Sequence, residues 1–349
     1  MIIEFRVANF RSIDDEQVLS FVASADSAHE KSHCIPTRWP RVPRLLRSAV
    51  IVGPNASGKS NFLSAINTLR ELIVDASVNG VHGLASRYTP FYAQMDRTAP
   101  TTFRIDLLLE RCRYRYHVSY YADRILHEEL RVNVNQKSHR WFARHFDIVA
   151  QKELWEPFSP GMHGPREAWR KTTGSRSLFL TTAVRLNASQ LGPLMHWCEK
   201  QLTVALEADF TDSAAFAAHL HEPRSKDRAV EVLRMADFAV SDIRMKDDAG
   251  ASRHASSSAV ELLCERHGPT PIWLAPEEYS SGAKRLVNLL VPLLSENEKD
   301  RFVVIDEFDV YLHPLVVKLL LRTINDPLRT DRRVQVLLVS QTTAVLDSK

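Results

Sequence analysis

The chain has 349 residues, 44% of them hydrophobic and 25% charged, with a formal net charge of +3. That length fits one large α/β domain with an insertion, or two domains, and the small net charge singles out no class of partner. No apolar run approaches the about 18 residues of a membrane helix, the charged start Met1-Ile2-Ile3-Glu4-Phe5-Arg6 lacks the core of a signal peptide, and the scattered Cys34, Cys112, Cys198 and Cys264 read as buried reduced thiols, so a cytoplasmic protein with no membrane partner is expected.

Residues 1–24 alternate as strands do, with Ile3, Phe5 and Val7 on one face and a turn at Asn9-Phe10-Arg11-Ser12. Residues 25–47, with Pro36, Pro40 and Pro43, read as loop. Arg38, Arg41, Arg44 and Arg47 recur there around Trp39, a pattern that fits either a nucleic-acid footprint or a solvated basic loop. Ser48–Val52 reads as a short buried strand, and the periodicity predicts an amphipathic helix over 60–76. Three alternating segments from Thr101 to Val134 predict an antiparallel meander. Residues 104–145 hold nine Lys/Arg against five Asp/Glu, interleaved with aromatics, which suits a nucleic-acid face or strands with outward arginines. Residues 146–175 look irregular, and 177–240 helical, with Leu191, Leu194, Trp197, Leu202 and Leu206 among the periodic positions. Strand character returns at Val240–Lys246 and Ala259–Glu265, around a polar tip at Asp247–Ser258.

Between the strand at 48–52 and the helix that follows stands Gly53-Pro54-Asn55-Ala56-Ser57-Gly58-Lys59-Ser60, which fits G-x-x-x-x-G-K-[ST]. In a strand-loop-helix setting the backbone N–H groups of such a loop converge on phosphates. Lys59 then reaches the β/γ oxygens and the Ser60 hydroxyl ligates Mg²⁺. Far downstream, Phe302-Val303-Val304-Ile305 is an apolar run of the kind a central strand shows, and it ends in Asp306-Glu307. Asp306 is the expected Mg²⁺ ligand, and Glu307 the residue expected to orient and deprotonate an attacking water. Just upstream, Glu278-Tyr279-Ser280-Ser281-Gly282-Ala283-Lys284-Arg285 runs into an apolar helix pattern, a second anion-binding helix start.

These motifs carry a resemblance. The chain resembles the ABC-class ATPases of the SMC/RecF/OLD branch, specifically the stand-alone AAA-type, ABC-like ATPases of bacterial phage-defence and abortive-infection loci. Gly53–Asn61 matches their G-x-N-A-S-G-K-S-N loop, and Asp306–Pro314 matches their D-E-x-D-x-x-L-H-P run. Glu278–Arg285 follows their E-S-S-G-[TA]-[KR] signature with Tyr279 as its departure, and Asn9–Ser12 matches their N-F-R-S turn. The resemblance implies a P-loop NTPase with an ABC-type ATPase head, an antiparallel β subdomain and a helical insertion. It implies ATP with Mg²⁺, bound by Asn55, Ala56, Ser57, Gly58, Lys59, Ser60 and Asn61, with Arg11 and Ser12 of the turn at the phosphates. It also implies a homodimer or higher oligomer, in which Ser281 and Gly282 of one subunit complete the nucleotide site of the other. His313 would lie near the subunit boundary, and a helix N-cap is an equally good local reading of it.

Two departures stand out. Where the family carries a switch histidine, this chain has Val339-Ser340-Gln341-Thr342-Thr343, with Gln341 in the histidine's place. The chain also ends at Lys349, soon after that strand, as either a short member or a truncated chain would. The expected organisation is 1–145 as the first part of the head with the loop and meander, 146–240 as irregular segment and helical insertion, and 241–349 as the second part with signature and acidic strand. The expected role is an ATP-hydrolysing dimeric switch in phage defence that controls a separate effector protein, and whether nucleic acid is a further partner stays open. An ATP-gated scaffold with little turnover and a DNA-maintenance ATPase are the competing readings.

Overall fold

Strict alternation gives β1 (Ile2–Ala8) one buried face, with Ile3, Phe5 and Val7 all inside. The computed structural model describes every residue except 75–82, 94–98, 135–136, 207–222, 246–259, 265–271, 275–277, 295–299, 327–332, 342 and 344–349. The chain divides into two units: Met1–Ala28, Cys34–Leu46 and Ala56–Val204 form the first, and His29–His33, Arg47–Asn55 and Ala205–Lys349 the second.

In the first unit β1 joins β2 (Gln17–Ser20), β6 (Thr101–Leu109), β7 (Cys112–Tyr120), β8 (Ile125–Val134), β9 (Lys137–Asp147) and β10 (Lys152–Trp155) in a seven-stranded antiparallel sheet, ordered β10-β9-β8-β7-β6-β1-β2. The expected meander is therefore β6 to β8, continued by two further strands. Against its apolar face lies α2 (Lys59–Val74), which buries Phe62, Leu63, Ile66, Leu69, Leu72 and Ile73. The Phe5 and Phe62 rings meet edge to face with centroids 5.7 Å apart. Each such side chain contributes about 1.5–3 kcal/mol, so the sheet and this helix hold each other in place. The unit's other helices are short: α3 (Gly83–Arg87), α4 (Arg166–Thr172), α5 (Phe179–Arg185) and α6 (Gly192–His196).

Residues 25–47 are not loop throughout. Cys34–Trp39 (β3) and Val42–Leu46 (β4) form an antiparallel hairpin that buries Ile35, Val42 and Leu45. Arg47 is buried, so the four-arginine pattern is not one exposed patch. The arginines of 104–145 are also engaged: Arg104, Arg113, Arg115, Arg124, Arg131, Arg140 and Arg144 each pair with a carboxylate. Arg113 and Arg115 share the single Asp106. Within 146–175, β10 and α4 give regular structure to a stretch expected to be irregular.

The second unit is built on parallel strands. β5 (Ser48–Val52), β15 (Asp300–Ile305) and β16 (Arg333–Ser340) lie side by side in the order β15-β16-β5. β11 is Leu202–Ala205, so Leu202 starts a strand where a helix was expected. Residues of α7 (Pro223–Met235), α8 (Ser281–Leu294) and α9 (Pro314–Asn325) share one apolar core with the sheet, including Leu233, Leu286, Leu290, Val303, Ile305, Leu320 and Leu338. The predicted strands after 240 are β12 (Val240–Met245) and β13 (Val260–Cys264), paired antiparallel and extended by β14 (Ile272–Leu274). The tip at 247–258 lies outside the described residues. The single-turn α1 (Glu30–His33) also belongs to this unit. No helix among the described residues is long and apolar enough to cross a membrane.

The first unit also holds an ion pair with no counterpart in the sequence motifs. Glu128 on β8 and Arg144 on β9 are 0% and 1% exposed and meet at 2.7 Å. The Glu128 carboxylate also accepts from the Tyr116 hydroxyl at 2.9 Å and from the Phe179 and Leu180 N–H groups that open α5, at 2.7 and 2.9 Å. The Thr181 hydroxyl then donates to the Ile73 carbonyl of α2 at 2.8 Å. A buried pair that loses one member leaves an uncompensated charge. Glu128→Ala is therefore expected to reduce stability by about 3 kcal/mol or more, read as a lower urea midpoint. An unchanged midpoint would show that Arg144 finds other compensation.

Candidate functional site

In the second unit the parallel register brings three chain exits to one sheet edge. Val52 pairs with Ser340, and Ile305 with Leu338. Gly53, Gln341 and Asp306 therefore leave the sheet side by side at its carboxyl ends, where ligands of open α/β sheets sit. Apolar composition puts these strands in the interior, since Val303, Val304, Val336, Leu337 and Val339 are 0% exposed. Only the residues at the strand ends are left to do chemistry.

Asp306 is 4% exposed. Its N–H donates to the Ala205 carbonyl and its Oδ1 accepts from the Glu307 N–H, both at 2.9 Å. Glu307 takes left-handed backbone, φ 48°, a conformation rare outside glycine. Gln341 Nε2 donates to Glu307 Oε1 at 3.0 Å. The expected acid pair and the residue in the histidine's place are thus brought together. The Ser340 hydroxyl donates to Asp309 Oδ2 at 2.6 Å, and the Phe308 N–H donates to the Val339 carbonyl at 3.1 Å, so the run after the acid pair stays against β16.

The signature segment is built into the same unit. The Ser280 hydroxyl accepts from the Ala283 N–H at 3.2 Å, capping α8, and Ser281 is exposed on its first turn. A Cβ on Gly282 would lie 2.9 Å from the Tyr311 backbone carbonyl, so the helix start and the D-E-x-D-x-x-L-H-P run touch at a place where only glycine fits. His313 is the N-cap of α9, its Nδ1 accepting from the Leu315 N–H at 3.3 Å, which is the local reading of that histidine. Arg285, 2% exposed, was quoted within the signature but given no role. It donates through Nη2 to the Asp306 and Glu307 carbonyls, each at 2.7 Å. Its signal in the sequence is a guanidinium one turn before Leu289, on the stripe that Leu286, Leu290 and Leu293 mark as buried.

The phosphate loop passes from the second unit to the first between Asn55 and Ala56. In the first unit, Ala56 and Gly58 both take left-handed backbone, φ 62° and 90°, and the Gly58 carbonyl accepts from the Phe62 N–H at 3.1 Å as α2 begins. The N-F-R-S turn docks here. Asn61 Nδ2 donates to Ser12 Oγ at 2.7 Å, and Arg11 Nη1 donates to Ser64 Oγ at 3.1 Å. The turn is fixed by left-handed Asn9 and Arg11 and by Asn9 Oδ1 accepting from the Phe91 N–H at 2.8 Å. Arg11, Ser12, Gly58 and Asn61 therefore form one cluster at the start of α2, with Ser57, Lys59 and Ser60 in the same run.

Gly58 is the sharpest test of this cluster. A Cβ there would sit 2.9 Å from Ser12 Oγ on backbone that L side chains avoid. Gly58→Ala is expected to leave the overall fold intact by circular dichroism but to weaken nucleotide binding by about tenfold or more, about 1.4 kcal/mol, in calorimetry. Unaltered affinity would mean that the loop tolerates displacement of the Ser12 turn.

The family profile described as "AAA domain, putative AbiEii toxin, Type IV TA system" matches residues 48–112 and 185–347. Among curated proteins no sequence match is found. Among solved structures the chain is similar to the SMC head domain from Thermotoga maritima, at 12% identity and a TM-score of 0.44 over 99% of this chain and 91% of that one. It is similar also to the SmcHead bound to the C-winged helix domain of ScpA, at 13% identity and a TM-score of 0.44 over 99% and 92%. The profile spans both the phosphate loop and the acidic strand and more than half of the sequence, so the chain belongs to this family of AAA-domain P-loop proteins.

Proposed function

We propose that this protein binds ATP with Mg²⁺ and hydrolyses it as an ATP-gated dimeric switch. The observation that carries the reading is the carboxyl edge of the parallel sheet, where Gly53, Gln341 and the Asp306-Glu307 pair emerge together. Lys59 and the N–H groups of residues 55–61 would hold the phosphates, with Arg11 and Ser12 beside them. Ser60 and Asp306 offer a hydroxyl and a carboxylate, the hard oxygen donors that Mg²⁺ takes, and the ion would neutralise charge on the phosphates. Glu307 would orient the attacking water and accept its proton, with Gln341 fixing the carboxylate. Ser281 and Gly282 would complete the site of a second subunit, as the motif resemblance implies. In the same reading the protein is cytoplasmic and its dimer controls a separate effector in phage defence.

One observation favours a second reading, an ATP-gated scaffold with little turnover. Gln341 holds an oxygen of the carboxylate that would act as base, and Gln carries no charge to place at a phosphate. Glu307→Gln separates the two. A working hydrolase should lose turnover by a factor on the order of 10²–10⁴ while keeping ATP and its dimer. A wild type already as slow as the variant would favour the scaffold, and a variant at the native rate would remove Glu307 as base. Lys59→Ala, assayed beside it, should lose ATP binding; full affinity would sink the loop assignment.

The two-subunit site needs a substitution that leaves the subunit's own packing alone. Gly282 is unsuitable because any side chain meets the Tyr311 carbonyl, whereas Ser281 is exposed. Ser281→Glu puts a carboxylate where the partner's γ-phosphate would lie. ATP binding should persist and ATP-dependent dimerisation, read by light scattering, should be lost. A variant that still dimerises with ATP counts against completion in trans.

A further inference from the structure

Residues 113–184 fall outside both segments matched by the family profile, and within them lies a cavity of 670 Å³. That volume is in the range of small-molecule sites, about 300–1,000 Å³. Trp155 and Phe158 line it, together with Arg166, Arg170, Glu156 and Glu167. The two rings are held firmly. Their centroids are 5.9 Å apart, and both lean on Phe179 at 5.2 and 5.6 Å. The Trp155 indole N–H donates to Glu153 Oε2 at 3.0 Å. Both rings nonetheless remain partly exposed.

Each ring has a guanidinium over it. Arg170 lies 5.5 Å from the Trp155 centroid and Arg166 lies 6.0 Å from the Phe158 centroid. Arg166 Nη1 donates to the Ser159 carbonyl at 3.0 Å, which orients the group and leaves its charge. The carboxylates at the cavity are in exposed pairs, Glu156 with Arg140 at 3.2 Å and Glu167 with Arg170 at 3.4 Å, and such pairs are weak and readily exchanged for another anion.

The chemistry selects among occupants. An aliphatic ligand would leave two cations unused, a simple anion would leave the rings unused, and a cationic ligand would be repelled by the guanidinium groups of Arg166 and Arg170. A planar π surface joined to an anion uses both halves. We propose that this cavity binds a nucleotide unit, its base stacked on Trp155 and Phe158 and its phosphate held by Arg166 and Arg170. The unit is either a free nucleoside monophosphate or an unpaired nucleotide of single-stranded nucleic acid, and the proposal is independent of the phosphate loop.

The test uses the full chain without Mg²⁺ or ATP, with adenosine monophosphate in calorimetry and a fluorescein-labelled short oligothymidylate in anisotropy. Binding of at least one probe is expected. The double variant Arg166→Glu/Arg170→Glu and, separately, Phe158→Leu should each weaken it by about tenfold, the scale of one base–aromatic stack, while Lys59→Ala leaves it unchanged. Binding of the oligonucleotide alone assigns the strand source, and binding of the monophosphate assigns the free nucleotide. Failure of the wild type to bind either probe overturns the proposal. So does native affinity in the arginine variant, loss in Lys59→Ala, or a Phe158→Leu protein that binds as tightly as wild type.

Discussion

Arg285 donates to the carbonyls of both Asp306 and Glu307 from the interior of the second unit. The bend at Glu307 takes these carbonyls out of the strand ladder, and a buried carbonyl without a donor costs about 1–3 kcal/mol. One guanidinium from the signature helix supplies both bonds. The helix that carries Ser281 and the turn that presents Glu307 are therefore fastened through a shared group, and the close approach of Gly282 to Tyr311 fastens them a second time. Further bonds from Phe308 to Val339 and from Ser340 to Asp309 extend the same frame to the strand that ends in Gln341. The acid pair is held from two sides by parts of the chain that the sequence shows as separate motifs.

Much of this frame was legible because its signals are contiguous. The run Phe302–Ile305 is apolar at every position, which marks a strand buried on both faces, and glycines with a following periodic pattern mark the loop and α2. What stayed hidden depends on partners remote in sequence. Leu202–Ala205 looks helical by spacing, yet its Ala205 carbonyl meets the Asp306 N–H about a hundred residues on. The prolines at 36 and 43 suggested a loop, yet both lie in the β3–β4 hairpin. The arginines of β6 to β9 looked basic because their compensation comes across strands, as when Arg113 and Arg115 on β7 both meet Asp106 on β6. Register decides such pairing, and register is not written in composition.

The first unit follows a different logic. Its sheet and α2 are joined by ordinary apolar packing, but the far end of the sheet is secured by a polar cluster around Glu128, which accepts from a hydroxyl, a guanidinium and two helix N–H groups. Low dielectric strengthens such a network when every member is satisfied. The same cluster fixes Phe179, against which Trp155 and Phe158 rest. The family profile matches the chain on either side of this region.

The Gln341 amide beside Glu307 has a bearing on proton balance. An imidazole in that place would change charge within the range in which cells acidify under stress. An amide neither gains nor loses a proton there. The hydrogen bond that residue 341 gives Glu307 is thus made by a group whose own charge is fixed across that range.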